Sequence, residues 1–168
     1  MSFRPADLGH ARKLPGARRE VNEWALDSPG HVGAQFAHRV STVDSRPEYR
    51  PHALGRWGER TAAAALERRG WRILERGYRL GRREVDLIIR REKLIAFVEV
   101  KTRAGSGYGA PEEAVTWAKR REIEAVAQDF LMRRRLGEVD VRFDVIAIVV
   151  GTGRRIVRFE HIEDAWRP

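Results

Sequence analysis

Residues 84–102 read EVDLIIRREKLIAFVEVKT, which is two apolar, β-branched runs at 84–90 and 94–102 with a short charged segment between them. Runs of this composition and spacing predict two strands joined as a hairpin. The segment Arg91-Glu92-Lys93 lacks the glycine or asparagine that is usual in a tight turn. If Glu92 and Lys93 alone form the loop, Asp86 lies directly opposite Glu99.

Acidic side chains occupy this predicted hairpin where its strands bring them together. An even number of loop residues places Glu84, Asp86, Glu99 and Lys101 on the same side. Like charges that face each other across strands are destabilising. Such carboxylates need a cation, a shared proton or a nearby lysine.

A divalent metal held by Asp86, Glu99 and the backbone carbonyl of Val100 would resolve this conflict, and oxygen ligands favour Mg²⁺ or Mn²⁺ over zinc. In the alternative, Glu84 and Lys101 form a cross-strand ion pair and the acids face solvent at a sheet edge. On spacing alone, both alternatives stay open.

The apolar pattern around the hairpin predicts two helices and three further strands. One helical stripe contains Glu59 and Leu66 and ends before Gly70, a candidate C-cap glycine. A second stripe, which includes Lys119, ends near Gly137. Strands are predicted at 71–75, 139–150 and 154–159, with a turn at 77–81 and a last helical turn near the C-terminus. The order α-β-β-β-α-β-β predicts an α/β fold, a mixed sheet flanked by helices.

The composition of the chain indicates how it is divided into domains. The chain has 168 residues, 42% of them hydrophobic, enough for the core of one ordinary domain. Residues 1–53 hold five of the seven prolines and no sustained apolar period. We therefore expect a poorly ordered N-terminal extension at 1–53 and a folded domain at 54–168.

Charge and cysteine content narrow the function further. Lys and Arg number 33 against 24 Asp and Glu, a net charge of +9 that favours nucleic acid as the partner. The absence of cysteine excludes disulfides, thiolate metal sites and thiol nucleophiles. No apolar run is long enough to span a membrane and no secretory signal is recognisable, so we expect a cytoplasmic protein without a membrane partner.

Three stretches carry a resemblance to a known group of enzymes. Gly58-Glu59, REVDLI at 83–88 and FVEVKT at 97–102 resemble the signature of the PD-(D/E)xK nucleases, with Val85 in place of the signature proline. Over about residues 54–166 the chain resembles more closely the uncharacterised YraN-like bacterial family, which is related to archaeal Holliday-junction resolvases. The resemblance implies a restriction-endonuclease-like fold and a Mg²⁺-dependent DNA endonuclease that hydrolyses phosphodiesters in branched or structured DNA.

The resemblance also implies catalytic roles. Asp86 and Glu99 would ligate Mg²⁺, and Glu59 would complete the outer coordination or help to hold a second ion. Lys101 would position or deprotonate the attacking water, or stabilise the transition state. Glu84 is a candidate for tuning Lys101.

Basic and aromatic side chains near this site are expected to contact nucleic acid. Arg82, Arg83, Arg103 and Lys119 are candidates for phosphate contacts, and Tyr108, in a glycine-rich loop, is a candidate for base stacking. The histidines show no metal-ligand spacing, and His161 is isolated in the C-terminal segment.

Two other classes of function stay open: a nucleic-acid-binding protein that keeps the fold without cutting, and an interaction module whose basic surface binds a protein. The intact set of Asp86, Glu99 and Lys101 favours the nuclease. A homodimer is expected from the resemblance, since a junction presents two scissile strands.

Overall fold

A computed structural model describes residues 18–21, 51–105 and 115–168. Within these residues the chain forms two long helices and six strands. In chain order they are β1 (Arg18–Val21), α1 (Pro51–Arg68), β2 (Arg72–Leu80), β3 (Arg83–Arg91), β4 (Leu94–Ala104), α2 (Trp117–Arg134), β5 (Asp140–Val150) and β6 (Ile156–Trp166). A short 3₁₀ turn at Thr152–Arg154 joins β5 to β6.

The strands form one mixed sheet in the order β1-β6-β5-β4-β3-β2. Only β4 and β5 are parallel, in continuous register from Leu94 opposite Asp140 to Ala104 opposite Val150. Parallel neighbours need a long crossover, and α2 lies in that connection. The predicted order of two helices and five strands, β2 to β6, is confirmed.

The sheet is covered by one helix on each face, which explains why its central strands are apolar on both sides. On one face α1 packs through Ala62, Ala63 and Leu66 against Leu87 and Val98. On the other face α2 packs through residues that are buried at helical spacing, namely Ile123, Val126, Ala127 and Phe130. The two layers fix both helices relative to the ends of β3 and β4.

The end of α1 follows from a local signal. Gly70 has a φ of +81°, a left-handed conformation that glycine adopts without strain. Its N–H donates to the Glu67 carbonyl, and the N–H of Trp71 donates to the Leu66 carbonyl. The predicted glycine cap is confirmed.

Two predicted boundaries were wrong because tertiary pairing extends the strands. β2 continues through Gly77 to Leu80, so the turn lies at Gly81 and Arg82. β6 continues to Trp166, where a helical turn was predicted. A bulge accommodates this strand: Asp164 has a φ of +54° and its N–H donates to Asp144 Oδ1 at 3.0 Å.

The segment before residue 54 is described only in part. Within it, β1 pairs with the outer edge of β6, and α1 already begins at Pro51. Residues 1–17 and 22–50 lie outside the described part, so the poorly ordered extension stays a prediction. None of the helices in the described residues has the length and apolar character needed to cross a membrane.

The β3–β4 hairpin has the two-residue loop on which the opposition of Asp86 and Glu99 depends, since Arg91 pairs with Leu94. In this tight turn Glu92 adopts a φ of +56°, which is a left-handed backbone conformation. Because side chains disfavour this conformation, Glu92→Gly should raise the free energy of unfolding by about 0.5–1 kcal/mol in urea denaturation. Lys93 has no such φ, so Lys93→Gly should lower it by a similar amount. A shift of both variants in the same direction would contradict this explanation.

Candidate functional site

Asp86 lies where β3 and β4 separate. The antiparallel ladder between them ends at Leu87 opposite Val98, one step before Asp86 and Glu99 would pair. Beyond that point β4 continues beside β5. The backbone N–H of Val100 donates to Asp86 Oδ2 at 2.7 Å, so the carboxylate takes the place of a strand carbonyl. The separation leaves space for side chains between the two strand ends.

Glu99 is a buried carboxylate, 3% exposed, that faces two lysines. Its Oε1 accepts a hydrogen bond from Lys101 Nζ at 2.7 Å. Its Oε2 lies 3.5 Å from Lys119 Nζ and has no hydrogen-bond partner among the described residues. Lys119 Nζ also donates to the backbone carbonyl of Glu84 at 2.8 Å, which ties the first turn of α2 to the start of β3.

These contacts exclude the alternative in which Glu84 pairs with Lys101 and the acids face solvent. Lys101 pairs with Glu99 on its own strand, and the Glu84 carboxylate pairs with Arg79 at 2.7 Å. Glu84 contributes its backbone oxygen, not its charge, to the neighbourhood of Glu99.

The pKa of Asp86 is raised from 3.8 to about 7. Burial is the main cause, and the neighbouring charges of Glu99 and, more weakly, Glu59 add to it. The hydrogen bond from Val100 and the charge of Lys119 act in the opposite direction. At neutral pH the Asp86 carboxyl is therefore protonated in part of the molecules, and a bound cation would displace that proton.

Glu59 reaches this pocket because α1 lies unusually close to β4. A Cβ atom on Gly58 would lie 1.7 Å from Thr102 Oγ1, so only glycine permits this approach. Glu59 follows directly in the helix, and its charge acts on Asp86. The Gly58–Thr102 contact thus sets the position of the third carboxylate.

The oxygen atoms of this pocket meet some, but not all, of the requirements for binding a hard divalent cation. Asp86, Glu99 and the Val100 carbonyl offer only oxygen, which Mg²⁺ and Mn²⁺ prefer. The unsatisfied Oε2 of Glu99 and the raised pKa of Asp86 both fit a missing positive charge. Among the described residues, however, no three acidic or histidine side chains are clustered closely enough to hold a metal. A bound ion would therefore keep several waters, as Mg²⁺ commonly does.

The predicted nucleic-acid contacts are only partly brought together. Arg82 is exposed in the turn between β2 and β3, and Arg83 is exposed as the first residue of β3, directly before Glu84. Arg103 is half-buried on β4, two residues beyond Lys101. Lys119 faces Glu99, and Tyr108 lies outside the described residues.

A second buried charged cluster was missed by the sequence analysis. His161 was expected to be isolated, but its Nε2 lies 2.9 Å from Asp144 Oδ2, and both side chains are buried. Arg142 donates to the same oxygen at 2.9 Å and to Glu163. Burial raises the pKa of Asp144. His161 and Arg142 favour the charged form more strongly, so the pKa of Asp144 lies below its usual value.

This cluster is structural. The Asp144 carboxylate accepts from His161, Arg142 and the backbone of the β6 bulge, so its oxygens are saturated with donors. The only signal in the sequence was an acid inside the apolar run of β5, which does not identify its partners.

The raised pKa of Asp86 makes a prediction for stability. In the metal-free protein, the native state binds a proton more tightly than the unfolded state between pH 4 and 7. Stability contributed by this group is therefore lost as pH rises through that window. Asp86→Asn, which keeps an acceptor for Val100, should be about 3–4 kcal/mol more stable than the wild type at pH 8, because the pKa of Asp86 is raised from 3.8 to about 7.

Thermal and urea unfolding in EDTA, at pH 5 and pH 8, check this difference between the two proteins. The gap should narrow at pH 5, where native Asp86 is protonated and the unfolded carboxyl is still ionised, and Mg²⁺ at pH 8 should stabilise the wild type alone. An Asn variant that is less stable at both pH values would contradict the assignment.

Comparison with known proteins identifies relatives across the part of the chain that carries this site. The chain is 45% identical over 112 residues to a UPF0102 protein of Chloroherpeton thalassium, covering 67% of this chain and 87% of the relative. It is 48% identical over 100 residues to a UPF0102 protein of Syntrophotalea carbinolica, covering 60% of this chain and 81% of the relative. It is 46% identical over 113 residues to one of Geobacter sulfurreducens, covering 67% of this chain and 88% of the relative. The expected kinship with the YraN-like family is thereby confirmed. A family model also matches residues 58–148, a range that includes all the carboxylates of the site. The chain therefore belongs to the uncharacterised protein family UPF0102.

Proposed function

We propose that the protein is a Mg²⁺- or Mn²⁺-dependent DNA endonuclease with a restriction-endonuclease-like fold of the PD-(D/E)xK type, acting on branched or structured DNA. One observation carries the proposal. Burial of Asp86, together with the neighbouring charge of Glu99, raises the pKa of Asp86 to about 7, and a lysine two residues beyond Glu99 on the same strand pairs with Glu99. An acid pair of this kind is stable at neutral pH only with a proton or a cation.

The chain's own residues supply the parts that phosphodiester hydrolysis needs. Asp86, Glu99 and the Val100 carbonyl would hold the divalent ion, which polarises a phosphate oxygen and lowers the pKa of bound water. Lys101 is free to position water or donate to the developing oxyanion once another cation satisfies Glu99. Glu59 would receive hydrogen bonds from water at the edge of the site.

The choice of nucleic acid as the substrate rests on charge. The chain carries a net charge of +9, and Arg82 and Arg83 are exposed at the start of β3, the strand that carries Asp86. Clustered arginines bind phosphate through a planar, bidentate donor group. Two subunits would be needed to cut two strands of a junction, and we extend the proposal to a homodimer.

The deciding experiment incubates the protein with four-way junction, flap and linear duplex DNA in Mg²⁺, Mn²⁺ or EDTA. Wild-type protein should cut a branched substrate in either metal and not in EDTA. Asp86→Asn should lower the rate at least 100-fold, since it removes a charged ligand. Asp140→Asn, at the opposite end of the sheet beside Leu94, is the matched control and should cut normally.

The alternatives give distinct outcomes. Binding without metal-dependent cutting would support a nucleic-acid-binding protein that keeps the fold. Absent binding, or binding insensitive to salt, would indicate an interaction module, because phosphate contacts weaken steeply as salt rises.

A further inference from the structure

Trp117 is the most exposed of the large hydrophobic side chains in the described residues, at 72% of its full accessibility. It begins α2 and belongs to neither of the core clusters formed by the described residues. Removing an indole ring from water is favourable, so the solvent-facing ring of Trp117 offers apolar surface to a ligand at this place.

The surroundings of Trp117 are cationic and close to the candidate site. Arg121, one helical turn further on, places its guanidinium 5.7 Å from the centre of the indole ring. Lys119, two residues along, contacts Glu99 and the Glu84 carbonyl. The first turn of α2 is therefore anchored beside the pocket while Trp117 and Arg121 stay exposed.

Resting on the proposed function, we infer that Trp117 is a stacking platform for an unpaired nucleobase next to the site, with Arg121 supporting the ring and attracting the adjoining phosphate. The inference names the substrate class: nucleic acid that has unpaired nucleotides beside the scissile phosphate. A paired base inside a duplex stacks on its neighbours and cannot reach such a platform, whereas a splayed base can.

Charge and the spread of apolar surface favour a base over a protein partner. A protein interface needs a contiguous apolar core. The other exposed large hydrophobic side chain of α2, Met132, lies fifteen residues away, which is about 22 Å along a helix. The residues around Trp117 are instead basic: Arg121 on the same helix, and Lys119 on its inner side.

Binding measurements on the full chain test this inference. The probe is a fluorescent DNA fork with two single-stranded arms, compared by anisotropy with a fully paired duplex of equal length, in EDTA so that no cutting occurs. Trp117→Ala should weaken fork binding by about 5- to 100-fold and change duplex binding less than twofold. Trp117→Phe should keep most of the affinity, and Met132→Ala, an exposed residue on the same helix, should match the wild type.

Several results would overturn it: equal losses on fork and duplex, unchanged fork binding in Trp117→Ala, or no binding of either DNA by the wild type. A change of oligomeric state in Trp117→Ala with normal DNA binding would assign the tryptophan to a protein interface instead. Cutting is assayed in parallel on the same fork in Mg²⁺. Normal cutting with no Trp117 effect rejects this inference alone, while a selective Trp117 effect without metal-dependent cutting rejects the nuclease proposal alone.

Discussion

Lys101→Met is expected to lower the rate of metal-dependent DNA cleavage by about 100- to 1,000-fold while DNA binding in EDTA changes little. The prediction rests on the proposed nuclease function. Lys101 and Glu99 lie on the same strand, and Lys101 Nζ donates a hydrogen bond to Glu99 Oε1 at 2.7 Å. With Glu99 neutralised by a bound metal ion, the Lys101 ammonium group would be available to the attacking water or to the developing charge on phosphate.

Removal of this lysine also affects the metal-free fold, and the two effects can be separated. Without Lys101, Glu99 is left buried with Lys119 as its remaining cation, 3.5 Å away. An unsatisfied buried carboxylate oxygen costs about 1–3 kcal/mol, which urea unfolding in EDTA would measure. Saturating Mg²⁺ should recover most of the stability and none of the cleavage rate.

Lys93→Met is the matched control, because Lys93 is exposed in the loop at the other end of the same hairpin. It should cut at the wild-type rate. Full cleavage by folded Lys101→Met would show that the lysine is only a counter-ion for Glu99, and the proposed mechanism would have to be abandoned.

Gly58→Ala is expected to lower the free energy of unfolding by about 1–3 kcal/mol although alanine favours helix. The added methyl group would lie 1.7 Å from Thr102 Oγ1, so either α1 or β4 has to move. That movement displaces Glu59 from Asp86, and the pKa of Asp86 should fall because one of the charges that raise it is removed.

The same helix offers a matched control in Gly55→Ala. A Cβ on Gly55 would meet its nearest neighbour, Glu59 Oε1, at 3.9 Å, an ordinary contact. This variant should gain about 0.5–1 kcal/mol from helix propensity. Thermal unfolding of both variants, together with Thr102→Ala in the Gly58→Ala background, measures the clash directly. If both alanine variants were stabilised, the close approach of α1 to β4 would be disproved.

Much of the candidate site could be predicted because it depends on local pattern. A two-residue loop between two strands fixes their register, and that register alone brings Asp86 to the level of Glu99. Alternation along β4 then places Lys101 on the side of Glu99, where the structure has it. The helical stripe and its glycine cap at Gly70 follow from equally short-range rules.

Contacts between distant residues could not be predicted in the same way. The partners of Lys119 proved to be Glu99 and the backbone carbonyl of Glu84. The saturation of Asp144 by His161, Arg142 and the bulge in β6 joins residues from two strands and a backbone irregularity. A sequence pattern indicates that a charged residue is buried, but not which donor satisfies it.

The sequence by itself determined the α/β order of the elements and placed Asp86, Glu99 and Lys101 on a hairpin whose two-residue loop would bring the two acids level. These follow from period, loop length and residue type, which act over a few residues. Only the tertiary structure decided that β3 and β4 separate at Asp86, that Gly58 lets α1 approach Thr102, and that Trp117 stays exposed beside the pocket. The reason is physical: close packing between elements far apart in sequence sets desolvation, and desolvation sets the charge state of the acids.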